Sequence, residues 1–334
     1  MAKAKKLPSG NWRVQVSKVV DGHLIKKSFT HSEPKKAELL ATQWQLSQEN
    51  RSSESITLTE AYRRYIDAKK NVLSPSTIRN YEKLHKNHLQ DIMHIRVDKL
   101  TTEQIQRSIN LYAADHAPKS VRNCNGLLSA VLKMFRPEFQ LTTSLPQKEK
   151  KQLYIPTDED IQLLLKISKN TNCYIPILLA AFGGMRAGEI CALTSDDISG
   201  SFININKSMV CGSDGKWSLK PPKTFSSNRQ VEMPVFVLNA LEGNEGRLVK
   251  YNPHSLSMAF NKLLKQNGLT PFRFHDLRHY YVSSLHALNI PDKYIMAQGG
   301  WSTNYTMQNV YNHTLANKQS EFSKKITSHF ESFL

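Results

Sequence analysis

What this chain lacks narrows its class before any motif is read. No apolar run approaches the roughly 18 residues of a membrane-spanning helix. The longest, Ile175 to Phe182, stops at Gly183-Gly184 and reads as a buried helix. The opening Met-Ala-Lys-Ala-Lys-Lys is basic but leads into polar sequence, without the apolar core of a secretory signal. Cysteine is scarce: Cys124, Cys173, Cys191 and Cys211 lie far apart, a spacing that gives neither a disulfide framework nor a zinc ribbon and fits a reducing, cytoplasmic setting. Glycine and proline, 14 of each in 334 residues, are too few for a fibrous or disordered chain. No internal repeat is visible. Acid is also short, with 28 Asp and Glu against 45 Lys and Arg, and the formal net charge is +17.

That surplus attracts polyanions, nucleic acid first and anionic membrane second. The length exceeds what one hydrophobic core usually organises, so several domains are expected. Residues from about Asn11 to Phe29 alternate around Asp21-Gly22, the pattern of a β-hairpin. A helix follows from about Pro34 to Leu46, on which Ala37, Leu40, Ala41 and Trp44 recur at helical spacing. This unit, residues 1–50, is small and basic. Lys3, Lys5, Lys6, Arg13, Lys26 and Lys27 are its candidate DNA contacts, since a sheet of this size can lie in a major groove while cations hold phosphates.

Ser47 to Glu54 reads as a linker, and residues 55–145 as a helical domain with helices at Leu58 to Ala68, Ser76 to Leu89, Thr102 to Tyr112 and Ser120 to Phe135. A second linker, Thr142 to Tyr154, holds the charge run Lys148-Glu149-Lys150-Lys151. Residues 152–334 mix periods. Helices are expected around Asp158 to Lys169, Ile175 to Leu193, Ser255 to Gln266 and His275 to Leu288, with strands at Phe202 to Lys207, Trp217 to Leu219 and Gln230 to Met233. Phe322, Ile326 and Phe330 mark an amphipathic helix in the tail. The fold class is therefore multidomain and mainly α: a β-hairpin or three-stranded N-terminal unit, a helical domain, and a mixed α+β domain.

Cutting a phosphodiester without a metal needs a nucleophile, cations for the non-bridging oxygens and an acid for the leaving oxygen. The last domain offers each. Arg186 is the sole charge between Tyr174 and Gly188, and a guanidinium among apolar neighbours must be paired, here with Glu189, or bind an anion. His275 and Arg278 are three apart and share a helix face. His275 and His279 could instead be zinc ligands, but Asp276 stands where a metalloprotease helix carries Glu, and no third ligand follows. Lys223 lies in a turn between alternating segments, and Gly299-Gly300-Trp301 precedes Tyr311 by ten residues. Asp158-Glu159-Asp160 and Asp196-Asp197 could suggest a two-metal nuclease, but Thr157 followed by Asp160 reads as a helix start.

The order of these pieces carries more than any one of them. GGMRAGEICAL at 183–193, PKTFSSNRQV at 222–231, HDLRHYYVSSL at 275–285 and VYNH at 310–313 strongly resemble the catalytic blocks of the tyrosine recombinase (phage integrase) family. More loosely, the helical section resembles that family's core-binding domain, and residues 8–46 its small arm-binding domain. The resemblance implies that Arg186 and Arg278 clamp the scissile phosphate and that His275 bonds it or takes the nucleophile's proton. It implies that Lys223 protonates the leaving 5′ oxygen, that Trp301 donates to a phosphate oxygen, that Tyr311 attacks, and that Glu189 supports the site without touching substrate. The interval from Trp301 to Tyr311 is one residue longer than the family's usual pattern. Tyr311 is therefore chosen over Tyr305 on its local string Val310-Tyr311-Asn312-His313.

By the same resemblance the enzyme needs no cofactor and no metal. It would work as a homotetramer on double-stranded DNA with core and arm attachment sites, in the bacterial cytoplasm at the nucleoid. An excisionase and a host DNA-bending protein would be further partners, and a membrane would not be one. The rival classes are a type IB topoisomerase, which shares the chemistry but not sequence-directed exchange, and a catalytically silent DNA-binding protein.

Overall fold

The computed structural model describes residues 3–20, 23–52, 56–148, 154–221, 227–301, 303, 327 and 330. The chain divides into two compact units, Met1–Ala68 with Leu84–Gln147, and Lys69–Lys83 with Lys148–Leu334.

The first unit begins with an antiparallel sheet, β1 (Lys5–Lys6), β2 (Trp12–Val20) and β3 (His23–His31), in that spatial order. Val20 pairs with His23, so the two alternating runs pair as expected; Asp21-Gly22 lies outside the described residues. Helix α1 (Pro34–Ser52) packs on the sheet over a small core of Val14, Val16, Ala37 and Ala41, flanked by Phe29 and Trp44. It runs through most of the expected linker, as far as Ser52. No Gly or Pro interrupts it after Pro34, and Gln, Glu and Leu are helix-tolerant, so polarity alone does not end it.

Along the chain follow α2 (Leu58–Lys69), α3 (Pro75–Asn87), whose residues up to Lys83 belong to the second unit, the short α4 (Gln90–Met93), a single 3₁₀ turn at Val97–Lys99, α5 (Thr102–Asp115) and α6 (Pro118–Phe135). Thr101 and Gln104 form a capping box at the start of α5, and Pro118 opens α6. Buried faces supply an apolar core that includes Leu58, Ile66, Ile105, Ile109, Leu128 and Val131. The second expected linker begins as a tied strap. Thr143 bonds Asn125, Ser144 exchanges hydrogen bonds with the Gln106 side chain, and Arg122 donates to the Pro146 carbonyl.

In the second unit α7 (Asp158–Ser168) starts at the Thr157–Asp160 capping box, the role the acidic run was expected to play. Helix α8 (Tyr174–Gly183) is central, with α7, α10 (Val235–Leu241) and α12 (Asp276–Ala287) packed on it. It is not the single helix expected to reach Leu193. Gly184 takes φ +59° and turns the chain out of it, and α9 (Ala187–Ile190) begins afresh. A side chain at Gly184 would be strained by that φ and would strike the Tyr281 ring at 2.4 Å.

Strands β4 (Ile198–Ser199), β5 (Phe202–Ile205) and β8 (Arg229–Glu232) form an antiparallel sheet, while β6 (Ser208–Cys211) and β7 (Trp217–Lys220) pair separately. Helices α11 (Pro253–Gln266), α12 and α13 (Asp292–Gly299) complete the unit. Lys223, Tyr305, Tyr311 and the tail helix lie outside the described residues, apart from the helical positions 327 and 330.

Candidate active site

Arg186 is not on a helix, as the apolar run suggested; it is the extended residue just before α9. Its backbone N–H donates to Glu189 Oε2 at 2.9 Å, its Nη1 to Glu189 Oε1 at 2.7 Å, and its Nη2 to the Gly300 carbonyl at 3.0 Å. The side chain keeps 35% of its surface exposed. A ligand can therefore reach it.

Glu189 is buried and has a second guanidinium partner that sequence reasoning missed. Arg229 Nη2 and Nη1 donate to its two oxygens at 2.9 and 3.3 Å. Burial alone would raise the pKa of Glu189, but hydrogen bonds and charge from Arg229, with Arg186 behind it, hold it below the ordinary range. Arg229 was legible in principle: along β8 the burial alternates, so Arg229 points inward with Val231 while Gln230 and Glu232 face out. The expected strand began one residue too late to include it.

Arg278, on α12, is 1% exposed. It donates to the Gly184 carbonyl, where α8 ends, and through Nη2 to the Gly299 carbonyl at 2.7 Å, where α13 ends. Its guanidinium lies 3.7 Å from the centre of the Trp301 ring, a cation–π stack. That ring covers Gly299 so closely that a Cβ there would sit 1.6 Å from it. Burial, then the charge of Arg186, pushes the pKa of Arg278 well down. Since a guanidinium stays protonated, the physical content is unspent positive charge.

His275 stands at the N-terminus of α12, with its ring 4.9 Å from that of His279. Crowding of the ring by protein, and next the charges of His279 and Arg278, lower its pKa to about 4, so it is neutral at pH 7. Although three positions apart, His275 is exposed whereas Arg278 is buried. Asp276 is tied to Arg273 by a 2.6 Å ion pair and accepts from the Arg273 backbone N–H. Asp197 is tied to Lys207 at 2.7 Å and accepts from the Thr194 backbone N–H, a structural role, while Asp196 is exposed.

The structure thus brings Arg186, Glu189, Arg278 and Trp301 to one place and adds Arg229. Three guanidiniums against one carboxylate leave two positive charges without a counter-charge among the described residues of the cluster. In a dehydrated site that surplus favours an anion, above all one whose charge is rising. Gly300 continues the chain from this centre, and Tyr311 follows it in sequence.

Five of the six basic residues proposed for the N-terminal unit fall on two different faces of its sheet. Lys5 pairs with Arg13, and Ser17 with Lys26, so Lys5, Arg13 and Lys26 share the face away from the core. Lys6 and Lys27 are in register with the core-side residues Trp12 and Val16, each with its ammonium 5.7–5.9 Å from an aromatic ring. Lys3 is exposed ahead of β1.

In this mixed α+β unit the arginines gather where α8 and α13 end. The model described as "Phage integrase family" matches residues 155–318, and the "Phage integrase, N-terminal SAM-like domain" model matches residues 57–111. The ICEBs1 integrase of Bacillus subtilis (strain 168) is 26% identical, with 96% of this chain and 98% of that protein aligned. The integrase of Salmonella phage P22 is 32% identical over 27% of this chain and 23% of its own. In three dimensions the chain is similar to a Tn1549 transposon integrase in complex with transposon right end DNA (TM-score 0.64, 17% identity, 79% of this chain, 99% of that one). It is also similar to a lambda integrase dimer bound to a COC′ core site (TM-score 0.61, 18% identity, 92% of this chain, 94% of that one). The chain belongs to the phage integrase family of tyrosine recombinases.

Proposed function

We propose that this integrase cuts and rejoins DNA at specific sites through a 3′-phosphotyrosyl intermediate, and so inserts and excises a mobile element. Tyr311 attacks the scissile phosphorus and His275 receives the phenol's proton. The bond to the 5′ oxygen breaks, and Lys223 supplies the proton that oxygen needs. The phosphodiester's energy is retained in the protein–DNA bond, so rejoining by the reverse steps needs no cofactor. The observation that carries this reading is the positive surplus at the arginine centre. A phosphodiester has one negative charge and gains a second as the fifth bond forms, so the surplus matches the transition state better than the ground state. Arg186 meets the phosphate directly, and Arg278 adds its field from behind Trp301.

Residues 152–334 carry the chemistry, 55–145 hold the core site and 1–50 hold the arm site on double-stranded DNA. Four copies are needed, because exchange between two duplexes requires four cleavages. An excisionase and a host DNA-bending protein set the direction. The integrase acts on DNA at the nucleoid; among the described residues no helix is long and apolar enough to cross a membrane.

The test is a plasmid carrying two copies of the element's junction sequence, incubated with the protein in EDTA. Recombinant circles are expected. A strict requirement for Mg²⁺ would overturn the mechanism, and relaxation of supercoils without exchange would point to a type IB topoisomerase.

A further inference from the structure

Three consecutive carbonyls close the end of α13, and a different arginine holds each. Arg229 Nε donates to Gln298 at 2.7 Å, Arg278 Nη2 to Gly299 at 2.7 Å, and Arg186 Nη2 to Gly300 at 3.0 Å. The last carbonyls of a helix have no intrahelical donors and carry the negative end of its dipole, so they seat cations well. The three arginines differ in what else they can reach. Arg186 keeps an open side, whereas the Arg229 side chain is 5% exposed and bonds Glu189, Gln298 and the Ser227 carbonyl. Arg229 is thus placed to hold other groups and not to touch a substrate.

What it holds decides how Arg186 points. Glu189 Oε2 takes Arg229 Nη2 and the Arg186 backbone N–H, which leaves Arg186 Nη1 a single strong contact at Oε1. The other end of the Arg186 fork then reaches across to Gly300. Without Arg229, the full charge of Glu189 would fall on Arg186, and a carboxylate beside a guanidinium tends to a closed two-bond pair. A guanidinium closed on its own carboxylate is no longer open to a phosphate.

We propose that Arg229 is a positioning residue for DNA cleavage: by sharing Glu189 it keeps Arg186 open toward the phosphate. The proposal rests on the strand-transfer reading above. It implies that damage from losing Arg229 is transmitted by the charge of Glu189 and ends when that charge is removed.

The experiment is single-turnover formation of the covalent adduct on a nicked duplex bearing the junction sequence, with DNA affinity and melting temperature measured in parallel. Arg229→Gln should slow adduct formation about thirty-fold or more while affinity stays within about threefold, the signature of an interaction realised in the transition state. Arg229→Lys should recover part of the rate. The double variant Glu189→Gln/Arg229→Gln should fall within about threefold of Glu189→Gln alone, because coupled residues do not add. An Arg229→Gln rate equal to wild type, or a double variant slower than Glu189→Gln by the full single-variant factor, would overturn the role. Should Arg229→Gln fail to fold, the double variant, which removes the charge of Glu189 together with that of Arg229, decides by the same criterion. A folded wild type that forms no adduct would take down the strand-transfer reading, and this role with it; a normal wild type beside an unaffected Arg229→Gln would remove only the role.

Discussion

The N-terminal sheet and the arginine centre are both cationic, and they spend their charge in opposite ways. On the sheet Lys5, Arg13 and Lys26 are exposed on a flat face, with neighbours such as Gln15, Ser28 and Thr30 that impose no direction. At the centre, Arg186, Arg229 and Arg278 are each locked by backbone carbonyls, and two of the three are buried. Exposed cations release counterions and give affinity that salt weakens; locked, partly dehydrated cations lower a barrier and change affinity little. On the proposed reading, the two regions would separate binding from catalysis within one chain.

The largest effect should come from the centre. Arg186→Ala should lower the rate of adduct formation by several orders of magnitude with DNA binding nearly intact, as measured by single-turnover kinetics beside a binding titration. Arg278→Ala should do the same and also cost stability, about 2–5 kcal/mol in denaturant melts, because it empties a buried site and orphans two carbonyls. If either variant lost affinity in step with rate, the centre would be a binding surface like the sheet, and the contrast would fail.

A middle-sized effect concerns acid. The folded-state pKa of His275 lies below its unfolded value, near 4 against an ordinary 6.5, so the unfolded chain binds the extra proton first. The stability associated with a neutral His275 is therefore complete above about pH 6.5 and is lost as pH falls toward 4. His275→Gln should flatten that part of the curve in melting experiments at stepped pH. The change should be smaller than the bare pKa shift suggests, since the exposed residue is screened. An identical curve for the variant would show that His275 is not held neutral.

The smallest effect on chemistry belongs to the sheet. Replacing Lys5, Arg13 and Lys26 by Ala should weaken arm-site binding and reduce the slope of log affinity against log salt by about 3, roughly one for each phosphate left unneutralised. Core cleavage should be unchanged. Lys27→Ala should alter the slope less, because that ammonium stands over Phe29 and Trp44. A larger loss from Lys27 than from the three outward residues would reverse the assignment of the DNA-facing side.

Much of this was legible in the sequence where local chemistry decides. The pairing of β2 with β3, the Thr157–Asp160 helix start and most helices of the first unit follow from caps and periodicity. Tertiary packing decided the rest. Ile175 to Leu193 reads as one apolar helix, but Gly184 must turn left-handed to place Arg186 before α9 and to let the Tyr281 ring pack. Helix α13 is short, with Ile295 and Gly299 its buried residues, too few to register as a period, yet its carbonyls organise the centre. The strap at Thr143 to Pro146 looks like a free linker because its anchors, Gln106, Arg122 and Asn125, are distant in sequence. Arg229 was missed for the same reason: nothing near it names Glu189 as its partner.

The most direct test of the whole account is to identify the atom that joins protein to DNA. A nicked duplex bearing the junction sequence is incubated with the protein in EDTA, the covalent adduct is digested, and the nucleotide-bearing peptide is sequenced by mass spectrometry, with Tyr311→Phe and Tyr305→Phe in parallel. The account predicts a 3′-phosphate on Tyr311, an adduct from Tyr305→Phe, and none from Tyr311→Phe despite normal DNA binding. Modification of Tyr305, or an adduct that persists in Tyr311→Phe, would contradict it.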